Sequence, residues 1–434
     1  MPHCFDVRHV KGCCSHMPGA DFPLWTLLSF PTLVLAIAVF PMVIPHFWEK
    51  RGVQIAVVAL CTLPIVAYEL TAGHVQQVVE GSKGYLAFVI TLGALFTTSG
   101  GIHLKGDIEA TPRNNLLFLL FGAFCASLIG TTGASMLLIR PLLKTNHQRE
   151  HRAHLVPFFI LIVANAGGLL LPLGDPPLLV GYIMGVPFFW TLHLFPIWLL
   201  YVASFSISFY VIDRREYARE TRRALAADRA EIEPLALLGR RNIAFLLAIV
   251  PAALLPEGFR EAALLLLAAA SFFTTPKAVH AANAFSFGPI IEVGIIFCGL
   301  FLCLGPIEVK LAEAAPHFPM QEAWQLFWGS GALSSVLDNA PTYTAFAALA
   351  RGLAHRSSEL VAGIDPIKLA AISAGSVVMG ATTYIGNGPN LMVKAVAERE
   401  RYAVPSFARY FVFAFAAMLP AHLIVTAALW WLDR

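Results

Sequence analysis

Apolar runs approaching twenty residues recur along this chain and leave it very few folds. FPTLVLAIAVFPMVIPHFW (30–48), AFLLAIVPAALL (244–255) and YFVFAFAAMLPAHLIVTAALWWL (410–432) contain no Asp, Glu, Lys or Arg. Runs of this kind are long enough to span a bilayer as helices, and backbone inside hydrocarbon must satisfy its own polar groups. The whole chain follows suit: of its 434 residues 57% are hydrophobic and only 13% charged, against about 25% charged in an average soluble domain. The reading is an all-α polytopic membrane protein.

The net charge of +3 is unremarkable, and the arginines sit in short inter-helix loops. No interleaved basic face for nucleic acid is present. Cys61, Cys125, Cys298 and Cys303 stand singly inside apolar segments and read as small buried hydrophobes, not as a disulfide framework. The N-terminal HCFDVRHVKGCCSHM carries His3, Cys4, His9, Cys13, Cys14 and His16. Their spacing matches no standard zinc pattern, and the segment lacks the order of a cleavable signal peptide. It reads as a loose tail.

Hydropathy divides the chain into apolar segments near 23–47, 52–70, 84–102, 114–130, 156–185, 188–211, 242–257, 260–275, 288–305, 366–395 and 407–432, about eleven transmembrane helices. Two further stretches, 130–143 and 324–350, are short or studded with Gly, Pro, Thr and Asn, and are expected to be re-entrant hairpins. Such backbone is tolerated at depth only inside protein or beside a watery cavity. The domain plan is a cytoplasmic tail (1–22), a first transmembrane helix (23–51), an N-terminal repeat (52–212), a basic linker (213–241) and a C-terminal repeat (242–434). The linker carries eight arginines, which places it in the cytoplasm. Eleven crossings and two hairpins then put 1–22, 71–83, 140–155, 276–287 and 394–409 on that same side.

LGDPPLLV (173–180) echoes IGNGPNLM (385–392), with Gly174 matched to Gly386 and Pro177 to Pro389. Upstream of each lies a polar, helix-poor knot, LIGTTGASMLLIRPL (128–142) and LSSVLDNAPTYTAFAAL (333–349). Each half thus runs hairpin, interrupted helix, final span, and the hairpins open to opposite sides. The expectation is two inverted repeats, the pattern of secondary transporters whose sites lie at the midplane.

Gly and Pro interrupt helical hydrogen bonding, and orphaned backbone groups in hydrocarbon need polar company. The candidate ion- or substrate-binding residues are Thr131, Thr132, Ser135, Asn165, Gly174 and Asp175 in the first half. In the second they are Asp338, Asn339, Thr342, Thr383, Gly386, Asn387 and Asn390, with Thr344 and Thr382 in the same neighbourhood. The side-chain ligands are hard oxygens, suited to sodium or protons rather than zinc or copper. A sodium ion is expected at Asp175, Asp338 and Asn339, and no other cofactor. Two alternatives stay open: Asp175 and Asp338 each precede a helix start and could simply cap it. Glu292 sits near an interface, Glu69 closes the second span and is expected to face headgroups, and His193 and His422 read as packing residues.

At these residues the chain resembles the ion transporter superfamily of citrate and dicarboxylate carriers, arsenite carriers and NhaD-type sodium/proton antiporters. GDPPLL (174–179) and GNGPNL (386–391) match the turns of its broken helices, and SSVLDNAPT (334–342) matches its second hairpin tip. GTTGAS (130–135) departs from the usual Ser-Asn-Thr tip. The resemblance covers roughly residues 50–432 and implies a homodimer working by elevator-like alternating access. The function expected is secondary active transport, as sodium/proton antiport, in a bacterial inner membrane. The alternative is a sodium- or proton-coupled citrate or dicarboxylate carrier. A membrane enzyme is disfavoured, because H-E-x-x-H, G-x-S-x-G and Walker-type motifs are all missing. The expected partners are the bilayer and a small ion or carboxylate, with no nucleic acid.

Overall fold

The computed structural model describes residues 22–434 apart from 49, 231, 355, 356 and 358. The Cys/His tail lies outside the described residues. The chain is helical almost throughout. The first unit comprises α1 (Ser29–Val43), α2 (Arg51–Thr71) and α3 (Val75–Gly100). Strand β1 (His103–Lys105) follows, then α4 (Pro112–Ile129), α5 (Thr131–Thr145), α6 (Leu155–Ile162), α7 (Pro176–Ile183) and α8 (Phe195–Tyr217). The linker forms α9 (Arg222–Ala230) and β2 (Ala236–Leu238). Then come α10 (Arg241–Ala253), α11 (Phe259–Thr274), α12 (Gly288–Leu302) and α13 (Leu304–Ala314). The last group is α14 (Ala323–Ser334), α15 (Asn339–Gly352), α16 (Pro366–Val378), α17 (Gly388–Arg399) and α18 (Phe407–Leu432).

Among the described residues six helices are long and apolar enough to cross a bilayer by themselves, or seven if α12 and α13, bent by 49°, form one span. The remaining expected spans are shorter helices, or pairs flanking a break. Packing sorts the helices into two layers, joined chiefly where α13 meets α15. One is built from α1–α3 with α10–α13, the other from α4–α8 with α14–α18. Each layer therefore draws on both ends of the sequence.

The main departure from expectation concerns 114–143. Hydropathy suggests a crossing over 114–130 followed by a separate hairpin. Instead α4 and α5 are the two arms of one hairpin, turned at Gly130 with φ +81°, a conformation that costs glycine little. Asn115 at the start of α4 and Asn146 just past α5 exchange hydrogen bonds of 2.8 and 2.9 Å, so the arms return to the same end. An apolar arm of 18 residues is indistinguishable from a crossing by composition. The second hairpin, α14–α15, falls where 324–350 was expected.

Merging two segments into one hairpin removes a crossing and moves residue 22 to the other end. β1 pairs antiparallel with β2, so the stretch after α3 lies at the linker end. Phe22 packs 5.1 Å from His74 at the start of α3, and Lys83 pairs with Glu257. Residue 22 and the α2–α3 turn therefore sit at the end away from the linker, not beside it as expected.

The linker end is locked by a buried ionic cluster that sequence reading missed. Arg149 Nη1 lies 2.6 Å from Asp213 Oδ1 and its Nε lies 3.4 Å from Glu220 Oε1, all nearly solvent-free. His154 Nε2 approaches Asp213 Oδ1 at 2.8 Å, and Asn115 Nδ2 donates to Asp213 Oδ2. The Glu220 carboxylate also accepts the backbone amides of Glu150 and His151. The cluster ties the hairpin base to the start of α6 and the end of α8. Removing one partner of such a set leaves a buried charge uncompensated. Arg149→Met is therefore expected to lower stability by about 3–5 kcal/mol; a thermal melt in detergent matching wild type would show that the cluster contributes little.

Candidate functional site

Both interrupted helices are broken as expected, and the breaks meet. The first unwinds after α6 through a short 3-10 turn (Ala166–Leu169) and resumes at Pro176. The second unwinds after α16 through Met379–Thr382 and resumes at Gly388. Prolines at 176 and 177, and at 389, occupy the first helical positions, where a missing N–H is harmless. Before each restart a glycine is pressed onto an earlier glycine. A Cβ on Gly174 would lie 2.3 Å from the Gly168 carbonyl oxygen, and one on Gly386 would lie 2.6 Å from that of Gly380. Both pairs are spaced by six residues, a signal available in the sequence that the motif comparison overlooked.

Asp175 is the centre of the site. It is 2% exposed and stands at the N-cap position of α7, yet makes no capping hydrogen bond. Its carboxylate instead accepts from Thr131 Oγ1 at 2.6 Å, from Asn339 Nδ2 at 2.5 Å and from Asn387 Nδ2 at 3.4 Å. These donors come from the first hairpin tip, the second hairpin tip and the second break. Asn165 completes the junction, donating to Asn390 Oδ1 at 2.7 Å and accepting from Asn387 Nδ2 at 3.1 Å. Asn390 in turn donates to the Gly380 and Thr383 carbonyls. Thr131 N bonds the Gly174 carbonyl, closing the first tip onto the first break.

Asp338 behaves differently. Half-buried at the N-cap of α15, it accepts from the Asn339 backbone amide. Of the three residues expected around sodium, Asp175 and Asn339 are joined directly, while the Asp338 side chain is turned to its own helix end. Asn339 Oδ1 has no partner and remains available to a ligand. Ser135 is fully buried one turn into α5, with its hydroxyl also unpartnered.

The other threonines divide. Thr383 Oγ1 donates to the Ser335 carbonyl and accepts the Ile385 and Gly386 amides, stapling the second tip to the second break. Thr342 bonds the Asp338 carbonyl and Thr344 bonds its own helix, the structural use of hydroxyls in membrane helices. Thr382 Oγ1 donates to Met418 Sδ. Thr132 is half-buried and lines a cavity of about 60 Å³ between α3, α12 and the first tip, together with Leu95, Phe96, Asp175 and Ile290. That volume is far below the roughly 300–1,000 Å³ of a drug-sized ligand pocket.

Four helices begin at this junction, α5, α7, α15 and α17. Each helix start carries about half a positive charge, so four partial charges converge on one carboxylate. The arginines further along α5 and α15 are engaged elsewhere: Arg140 with the Asn283 carbonyl and Arg351 with Glu308.

His422 is buried and bonds Tyr201 at 2.6 Å across α8 and α18, the packing role expected. Exposed His193 contacts the Trp190 carbonyl, and Glu292 accepts from Gln54. Glu69 differs from expectation, being 1% exposed and turned inward rather than toward headgroups.

Two broken membrane helices meeting at a shared polar junction form the kind of site that secondary transporters use. The chain belongs to the family described as "Putative citrate transport", whose model matches residues 19–431. No curated protein gives a significant match.

The glycine contacts generate a paired prediction. Gly174→Ala drives a methyl group into the Gly168 carbonyl and is expected to abolish ion binding and reduce folded yield. Gly388→Ala meets nothing within 4 Å and should behave as wild type in size-exclusion and binding measurements; equal behaviour of the two variants would refute the close-packed break.

Proposed function

We propose that the chain is a secondary active transporter exchanging sodium for protons, with Asp175 as the shared binding group. The observation carrying this reading is a buried carboxylate held by neutral donors from both halves of the chain. Hydrogen bonds to a charged group contribute about 1.5–3 kcal/mol each, and the converging helix starts add to them. Full desolvation of an ion costs several kcal/mol, and no cationic side chain pairs with Asp175 among the described residues. A proton or a hard monovalent cation completes the balance, and each excludes the other. Such competition at one group couples the two flows. The small cavity beside Asp175 suits an ion better than a tricarboxylate.

The two halves act in this reading as inverted repeats. Their hairpins approach the junction from opposite ends, and movement of the α4–α8 and α14–α18 layer against the other exposes Asp175 to each side in turn. The linker end is assigned to the cytoplasm of a bacterial inner membrane, since among the described residues the far end carries only Lys83, Arg260, Lys310, Arg351, Lys368 and Arg434 as cations. Residue 22 then lies on the opposite face. A homodimer, as in the resembling carriers, is part of the proposal.

A second reading is coupled transport of citrate or a related carboxylate. It is favoured by the four helix starts, which suit an anion, and by the family's description. Asp175 would then hold the coupling cation next to the substrate.

Reconstituted vesicles separate these readings. Wild type should dissipate an imposed pH gradient when sodium is added, and Asp175→Asn should reduce this by at least about a hundredfold, since a neutral amide can neither release a proton nor counter a cation. Asp338→Asn should retain most activity, because Asn caps a helix as well as Asp does. Exchange at a normal rate in Asp175→Asn would sink the proposal, and uptake of labelled citrate without sodium/proton exchange would select the second reading.

A further inference from the structure

A second group of unpartnered oxygens lies in the other helix layer and shares no residue or hydrogen bond with the Asp175 junction. Glu69, in the last turn of α2, is 1% exposed, and its Oε1 has no hydrogen-bond partner. Gln77, in the first turn of α3, has an Oε1 that is buried and unpartnered as well. Both oxygens converge on Gly305. A Cβ built there would lie 3.3 Å from Glu69 Oε1 and 3.7 Å from Gln77 Oε1. Gly305 stands at the start of α13, immediately after the 49° bend that separates it from α12. Its missing side chain lets both oxygens approach the helix closely.

Neither oxygen meets a hydrogen-bond donor among the described residues. Cys303 Sγ lies 3.7 Å from Thr62 Oγ1 and contacts the Cys61 carbonyl. The His74 amide bonds the main-chain oxygen of Glu69, not its carboxylate. Glu308, one turn along α13, is paired with Arg351. A buried polar atom without a partner requires an explanation, and an unseen ion is one of the few. One carboxylate and one amide oxygen are hard ligands of the kind that suits alkali cations rather than soft metals.

We propose that Glu69 and Gln77 bind a sodium-type monovalent cation against Gly305, at a site distinct from the transport site. Bound there, the ion ties the α2–α3 turn to the α12–α13 bend. Its place in the layer that does not contain Asp175 makes it a structural or regulatory ion, one that is held and not carried.

The test is thermal unfolding of the purified full-length protein in detergent, titrated with sodium chloride while choline chloride keeps ionic strength constant. Asp175→Asn is the background, which removes the central carboxylate. A ligand that binds only the folded state raises the melting temperature with its concentration. The rise is expected in Asp175→Asn, and it should vanish in Asp175→Asn/Glu69→Gln, whose melting in choline alone stays unchanged. Asp175→Asn/Gln77→Leu should weaken the apparent sodium affinity by about tenfold, and Asp175→Asn/Gly305→Val should abolish the effect by pushing both oxygens off the helix. No sodium-dependent rise in Asp175→Asn, or one that persists undiminished after Glu69→Gln, would overturn the site. Exchange activity of the single Asp175→Asn variant reports separately on the transport proposal.

Discussion

Backbone released from a helix inside hydrocarbon has to find its partners within the protein, and this constraint organises the whole structure. Each of the two breaks frees a short run of amides and carbonyls around Gly174 and Gly386. The hairpin tips supply what the breaks lack: Thr131 N closes on the Gly174 carbonyl, and Thr383 staples its own break to the Ser335 carbonyl of the second tip. Hydrogen bonds among Asn165, Asn387 and Asn390 then bridge the two breaks. Asp175 is held at the point where these obligations meet.

That arrangement explains why two aspartates in the same sequence context have different surroundings. Both occupy N-cap positions. Asp338 caps, because the extended residue before α15 aims its carboxylate at the Asn339 amide. Asp175 does not, because Thr131 and Asn339 draw its oxygens away from α7 and across the junction. A cap is a local device that any helix start can use. A carboxylate shared by three separate segments senses their relative placement, which is the property a coupling group requires.

Much of this was legible in the sequence. The membrane class follows from apolar run length, and the breaks from Gly-Asp-Pro-Pro and Gly-Asn-Gly-Pro, because proline and glycine act on the backbone locally. The asparagines and threonines at the junction could be named for the same reason, since polar residues beside a broken membrane helix have few other uses. The 114–143 region could not be read this way. An 18-residue apolar arm that turns back at Gly130 has the composition of one that crosses, and the deciding contact, Asn115 with Asn146, joins positions 31 residues apart. Reading that arm as a crossing places residue 22 at the linker end instead of the opposite one. Glu69 could not be read for a related reason: its carboxylate meets Gly305 of α13, far along the sequence.

Composition and local chemistry by themselves thus determined that the chain is helical, membrane-embedded and broken in two places, because burial in lipid and the covalent limits of proline act on each segment separately. Tertiary structure alone decided which residues meet: that Asp175 rather than Asp338 joins the halves, that Arg149 is buried between Asp213 and Glu220, and that Glu69 faces inward. Those outcomes depend on how helices distant in sequence pack against one another, and no pattern within a single segment encodes the neighbour it will acquire.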